Sequence, residues 1–127
     1  LRQLGYDVIE IPFGGKATKP ELFTNRRAEM WWLMKEWIEM GGAIPNDTAL
    51  KQELATPIYW YDNVGRRVLE SKDQIKKRLQ GAGSPDLADA LALTFALPVA
   101  KKIPEDIYIK RREAATKKEE YDPYTRV

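Results

Sequence analysis

Residues 84–96 form an apolar, helix-like run that contains two carboxylates, and no other segment constrains this chain as strongly. Asp86 and Asp89 are three residues apart, so on a helix they share a face. Ser84 is predicted to be the N-cap and Pro85 the first helical residue, which places Asp86 in the first turn. Backbone N–H groups and the helix dipole favour an acid there, so the helix alone explains Asp86.

Asp89 needs a further explanation, because it is the only charged residue between Leu87 and Ala100. The surrounding residues predict burial, and a buried ionised carboxylate without a partner is costly. A cation bound together with Asp86 would neutralise the charge. A buried salt bridge and simple exposure to solvent are the alternatives, and the pattern leaves all three open.

Composition narrows the chemistry that this chain can support. With 127 residues, 43% of them hydrophobic, it is one domain or a large piece of one. The absence of Cys and His excludes disulfides, thiolate zinc sites and a histidine base. Any metal ligands would be carboxylate oxygens, which suit Mg²⁺ or Mn²⁺. No apolar run reaches the roughly 18 residues of a membrane span, and no signal segment is evident.

Apolar periodicity and turn residues predict five further elements. These are a strand at 7–13, a helix from Thr24 or Asn25 to Met40, a short helix after Asp47, a β-hairpin of 58–61 and 66–70, and a helix capped by Ser71. Trp31 is assigned to the core face of the first long helix, and Arg27 to its outer face.

The helix after Ser71 is basic and contains the candidate DNA-binding residues Lys72, Lys76, Lys77 and Arg78. Flexible or forked cations of this kind contact phosphates, although a solvated helix face has the same composition. Glu70, just before this helix, is a candidate additional metal ligand or the partner of a basic neighbour. Both questions stay open from the sequence.

Three blocks at 23–32, 69–73 and 84–96 resemble, in this order, the C-terminal nuclease domain of large terminase subunits from tailed bacteriophages. The resemblance covers about residues 1–100. It implies a partial α/β domain of the ribonuclease H-like class, with a mixed sheet, flanking helices and a β-hairpin. The charged segment 101–127 is predicted to be a flexible tail.

The same resemblance implies that the intact protein cuts concatemeric viral DNA during genome packaging, in the cytoplasm of the bacterial host, by hydrolysis that uses two Mg²⁺ or Mn²⁺ ions. Asp89 would be the catalytic residue and terminal metal ligand, with Asp86 beside it. The implied partners are double-stranded viral DNA, the portal protein and the small terminase subunit. Since the family's first two acids lie upstream of the matched part, we expect this chain alone to be inactive. Its Trp, Leu and Ile content predicts a core that folds without metal.

A non-enzymatic module is the competing hypothesis: a prophage remnant, or a fragment that binds the portal or DNA. A junction resolvase or a transposase would also be a ribonuclease H-like enzyme. The blocks at 31–32 and 71–73 fit terminases better than either.

Overall fold

The computed structural model describes residues 2–81, 83–98, 110 and 113. A 3₁₀ turn at Arg2–Leu4 comes first. The elements that follow are α1 (Arg26–Glu39), α2 (Thr48–Ala55), β1 (Tyr59–Tyr61), β2 (Arg67–Leu69), α3 (Lys72–Leu79) and α4 (Asp86–Leu93). Helix α1 packs against α4 and β2, and α4 also packs against α2.

Three helices begin at the caps that the sequence predicts. The Asn25 side chain accepts a hydrogen bond from the backbone N–H of Ala28 at 2.8 Å, and Asp47 accepts one from Leu50 at 3.1 Å. Ser71 forms a capping box with Gln74, in which each side chain bonds the other residue's backbone N–H. The predicted starts of α1, α2 and α3 are therefore confirmed.

The predicted hairpin is also confirmed. Strands β1 and β2 are antiparallel, with Trp60 opposite Val68. In the turn, Asp62 accepts hydrogen bonds from the backbone N–H groups of Val64 and Arg66. An isolated parallel bridge joins Phe23 to Arg67, so β2 has an antiparallel neighbour on one side and a parallel one on the other.

The main core lies where α1 crosses α4. Met30 and Ala88 are fully buried there, and so is Ala92, while Met34 is nearly so. Alanine at 88 and 92 lets the backbone of α4 approach α1 closely, because a methyl group takes little space between two helices. This close approach brings the acids of α4 to the first turns of α1.

The structure corrects the prediction of a strand at 7–13, since residues 6–12 have no regular secondary structure. Within the described residues the structure contains one sheet, which β1 and β2 form, and residues 7–13 are not part of it. The segment instead ends on the first turn of α1, where the carbonyl of Phe13 accepts from Arg27 N–H at 2.9 Å.

Ser84 is not the cap of α4, which corrects a second prediction. Pro85 occupies the N-cap position and α4 begins at Asp86 without a side-chain cap of its own. Glu53 of α2 accepts a hydrogen bond from the backbone N–H of Ala88 at 2.9 Å, so a side chain of a neighbouring helix satisfies one of the free N–H groups in the first turn of α4.

The predicted tail at 101–127 lies outside the described residues, except for Lys110 and Glu113. In the part of the chain that is described, no helix has both the length and the apolar character needed to cross a membrane.

Candidate functional site

Asp89 is buried between α4 and α1, where its side chain is held through one oxygen. It is 3% exposed. Its Oδ1 accepts a hydrogen bond from Arg27 Nε at 3.1 Å and another from Trp31 Nε1 at 2.8 Å. Arg27 and Trp31 are four residues apart on α1, so successive turns of one helix present both donors. The salt bridge that the sequence left open is therefore present.

The other oxygen of Asp89 faces the ammonium group of Lys72, at the start of α3. Lys72 Nζ lies 3.1 Å from Asp89 Oδ2 and 3.3 Å from Asp86 Oδ1. Oδ2 is buried and accepts no hydrogen bond of regular geometry within the described residues. Asp86 and Asp89 therefore share one cation, as their spacing on the helix allows.

Electrostatics at this point favour the charged forms of all the groups whose pKa is shifted. Desolvation lowers the pKa of Lys72, but the carboxylates of Asp89 and Asp86 outweigh it and raise that pKa above 10.5. A hydrogen bond from the Ser84 hydroxyl, together with the Lys72 ammonium, lowers the pKa of Asp86. The site is thus two acids that hold a positive charge.

Glu70 is buried at the end of the hairpin, but both of its oxygens are engaged. Arg78 donates from Nε to Oε1 and from Nη2 to Oε2, each at 2.9 Å. The backbone N–H of Ile58 adds a hydrogen bond to Oε2 at 3.2 Å. These contacts lower the pKa of Glu70, with Arg78 as the main cause. Glu70 is connected to Asp89 only indirectly, since its carbonyl accepts from Arg27 Nη1 at 2.7 Å.

The four predicted DNA-binding residues divide into two pairs. Lys72 and Arg78 are bound to acids, as described above. Lys76 and Lys77 are exposed, and neither forms an ion pair within the described residues. Of the four, Lys76 and Lys77 are therefore the two whose ammonium groups extend into solvent outside the ion pairs of the described residues.

Sequence reasoning placed Arg27 on the outer face of α1, and this is wrong, since the residue is 7% exposed. Its position four residues before Trp31 put it on the core face, and this signal was available in the sequence. The charge of Arg27 hid it, because a buried arginine is expected only where an acid meets it.

The acidic side chains of the described residues indicate how many metal ions could bind. Within the described residues no group of three or more His, Cys, Asp or Glu side chains could hold an ion. Asp86 and Asp89 already share the Lys72 ammonium, so the two carboxylates lie close enough together to contact one cation. They do not suffice for two ions.

Comparison with known proteins shows the fold. No protein-family model and no curated protein matches this sequence. The structure is similar to that of a mutant nuclease domain of the large terminase subunit gp2 of bacterial virus Sf6 with manganese. The TM-score is 0.51 and the identity 21%, over 68% of this chain and 50% of that one. The nuclease domain of the same gp2 without the mutation gives a TM-score of 0.45 and 22% identity, over 71% and 50% of the chains.

This chain thus spans about half the length of the nuclease domains that it resembles. The first match confirms the predicted fold class: helices flank a small sheet, as in the ribonuclease H-like fold of a terminase nuclease domain.

Proposed function

We propose that this chain supplies part of the active site of a metal-dependent DNA nuclease of the terminase type, which cuts viral DNA during genome packaging. One observation carries the proposal: Asp86 and Asp89 meet at a single cation, in a chain with the fold of a terminase nuclease domain. Two acids that converge on one point are what a hard divalent cation requires from a protein.

Asp89 is the main ligand in this proposal and Asp86 the second. Asp89 would bind through Oδ2, since Oδ1 already accepts two hydrogen bonds. Mg²⁺ or Mn²⁺ fits because oxygen is the only ligand type on these side chains, and the similar gp2 structure is described as containing manganese. When bound, such an ion would activate water or stabilise negative charge on a phosphate oxygen.

The cations of α3 have two roles in the proposal. Lys72 holds the two carboxylates together before a metal ion binds, and Lys76 and Lys77 face solvent on the same helix, where DNA phosphates could reach them. We leave Glu70 out of the ligand set, because Arg78 and Ile58 already occupy its oxygens.

Hydrolysis with two ions requires ligands beyond these 127 residues. Two ions carry four positive charges, which one pair of carboxylates cannot balance. This chain spans half the length of its structural neighbours, so we propose that sequence outside it provides the remaining acids. We therefore expect this chain by itself to cut no DNA above background.

The proposed setting follows from the resemblance of the three sequence blocks. Double-stranded viral DNA is the proposed substrate, and the portal protein and small terminase subunit are the proposed partners in the intact system. The proposed location is the cytoplasm of the bacterial host.

The test is cleavage of supercoiled plasmid with Mg²⁺ or Mn²⁺ by a protein extended upstream with its native sequence. Asp89→Asn should abolish cutting, and Asp86→Asn should reduce it less, because Asp86 is 72% exposed and less constrained. The matched control is Asp73→Asn, an exposed acid in the first turn of α3, which should retain activity. An Asp89→Asn protein that cuts as well as the wild type would refute the proposal.

A further inference from the structure

Two side chains of α1 bind the same oxygen of Asp89. Arg27 Nε and Trp31 Nε1 both donate to Oδ1, whereas neither makes a hydrogen bond to Oδ2. We propose that Arg27 and Trp31 are positioning residues, which fix the rotation of the Asp89 carboxylate and so direct Oδ2 to the cation. The inference rests on the proposed function, since it concerns how the same site binds its metal ion.

Both donors are themselves held in place. Arg27 and Trp31 are each 7% exposed. Arg27 Nη1 donates to the carbonyl of Glu70 at 2.7 Å, which ties the guanidinium to the end of the hairpin. The Arg27 guanidinium also lies 5.5 Å from the centroid of the Trp31 ring. Rotating the carboxylate out of its observed plane would lengthen both hydrogen bonds to Oδ1.

The opposite side of the carboxylate has no such constraint. Among the described residues, Oδ2 faces the ammonium of Lys72, whose side chain is 40% exposed to solvent. One oxygen is thus fixed by rigid, buried donors and the other is available to an exchangeable cation. Partners that orient a metal ligand in this way typically change metal affinity by about 10- to 100-fold when they are removed.

Arg27 is also a positive charge close to the proposed metal ion. Its effect as a positioning residue can therefore be distinguished from its effect through charge repulsion. If repulsion were its main effect, Arg27→Gln would strengthen metal binding and Arg27→Lys would leave it unchanged. If positioning is its main effect, Arg27→Lys should weaken binding, because it keeps the charge but loses the forked geometry that reaches Asp89 and Glu70 together.

Trp32 provides a matched control for Trp31. Its indole Nε1 also donates to a carboxylate, that of Glu36 at 2.9 Å, but this bond is exposed to solvent. Trp31→Phe and Trp32→Phe therefore remove the same chemical group and the same type of bond. Only the first removes a bond to Asp89.

The experiment is a titration of the 127-residue chain with Mg²⁺, followed by two-dimensional NMR. The chain contains four tryptophans, and their indole N–H signals can be assigned by substitution. In the wild type, the Trp31 indole signal and the Asp89 amide signal should shift most. The Asp89 amide signal then reports the affinity in every variant.

We expect Trp31→Phe and Arg27→Lys each to weaken Mg²⁺ binding about tenfold or more, and Trp32→Phe to leave it unchanged. Thermal melts identify any variant that fails to fold, and the two substitutions test the inference independently. Wild-type affinity in both folded variants would overturn the positioning role while the metal site remained. A wild-type chain that binds no Mg²⁺ at Asp89 would overturn this inference and the metal site of this chain together.

Discussion

Two buried carboxylates pair with neighbouring arginines at the start of α1, yet their surroundings differ. Glu29 uses both oxygens: Oε1 accepts from Thr18 N–H at 3.0 Å and from Arg26, and Oε2 accepts from Lys19 N–H at 2.9 Å. Asp89 uses only Oδ1 in hydrogen bonds and presents Oδ2 to a lysine. Glu29 therefore attaches a loop to α1, whereas Asp89 has one oxygen that can bind an exchangeable cation.

The comparison shows that burial of an acid does not by itself indicate function. Glu29 and Glu70 are as buried as Asp89, but fixed donors saturate them. What distinguishes Asp89 is that one oxygen lacks a fixed donor and that a second acid is close to it. Among buried acids, candidate metal ligands are therefore better recognised by whether each carboxylate oxygen has a hydrogen-bond donor than by the exposed area of the side chain.

The largest expected effect on stability comes from Glu29→Gln. This change keeps the shape but puts an NH₂ group where a loop N–H or Arg26 needs an acceptor, so we expect a loss of about 2–3 kcal/mol in the free energy of unfolding. Chemical denaturation measures it. Glu39→Gln, which affects an exposed pair with Lys35, should leave the free energy nearly unchanged. Equal losses of unfolding free energy in the two variants would contradict a structural role for Glu29.

A smaller effect, which is a gain in Mg²⁺ affinity rather than a loss of stability, is expected from Lys72→Ala. Removing the ammonium frees Asp86 and Asp89, so Mg²⁺ affinity should rise by about tenfold, as expected for a unit charge a few ångströms from the site. Calorimetric titration of the 127-residue chain measures the change. Lys77→Ala, on the same helix but without an acidic partner in the described structure, is the control. Unchanged affinity in Lys72→Ala would show that Lys72 does not compete with the metal ion.

The smallest expected effect concerns the pH dependence of stability. It tests whether Glu70, like Glu29, is an acid that fixed donors hold in a structural ion pair. Arg78 holds the pKa of Glu70 below its ordinary value of 4.5, so its contribution to stability is complete above that pH and is lost as the pH falls through the lowered pKa. Melting temperatures between about pH 5 and pH 3 should therefore fall less steeply in Glu70→Gln than in the wild type. Parallel curves for the two proteins would contradict a structural ion pair at Glu70.

Much of the local structure could be predicted, because its signals lie within a few residues of each other. Asn25, Asp47 and Ser71 each bond a backbone N–H three residues ahead, and the turn of the hairpin is closed by Asp62. The prediction of a strand at 7–13 was wrong because strand formation depends on residues far away in the sequence. Alternation shows that a segment could join a sheet, but whether a neighbouring strand exists is decided elsewhere in the chain.

The sequence alone determined which residues could carry the chemistry: the acid pair Asp86 and Asp89 on one helix face, oxygen as the only ligand type, and a basic helix before them. Only the tertiary structure decided which oxygen each partner takes. The bonds of Asp89 to Arg27 and Trp31 join residues 62 and 58 positions apart. Such pairings depend on how α1 packs against α4, and helix packing is set by the whole core, which no local pattern encodes.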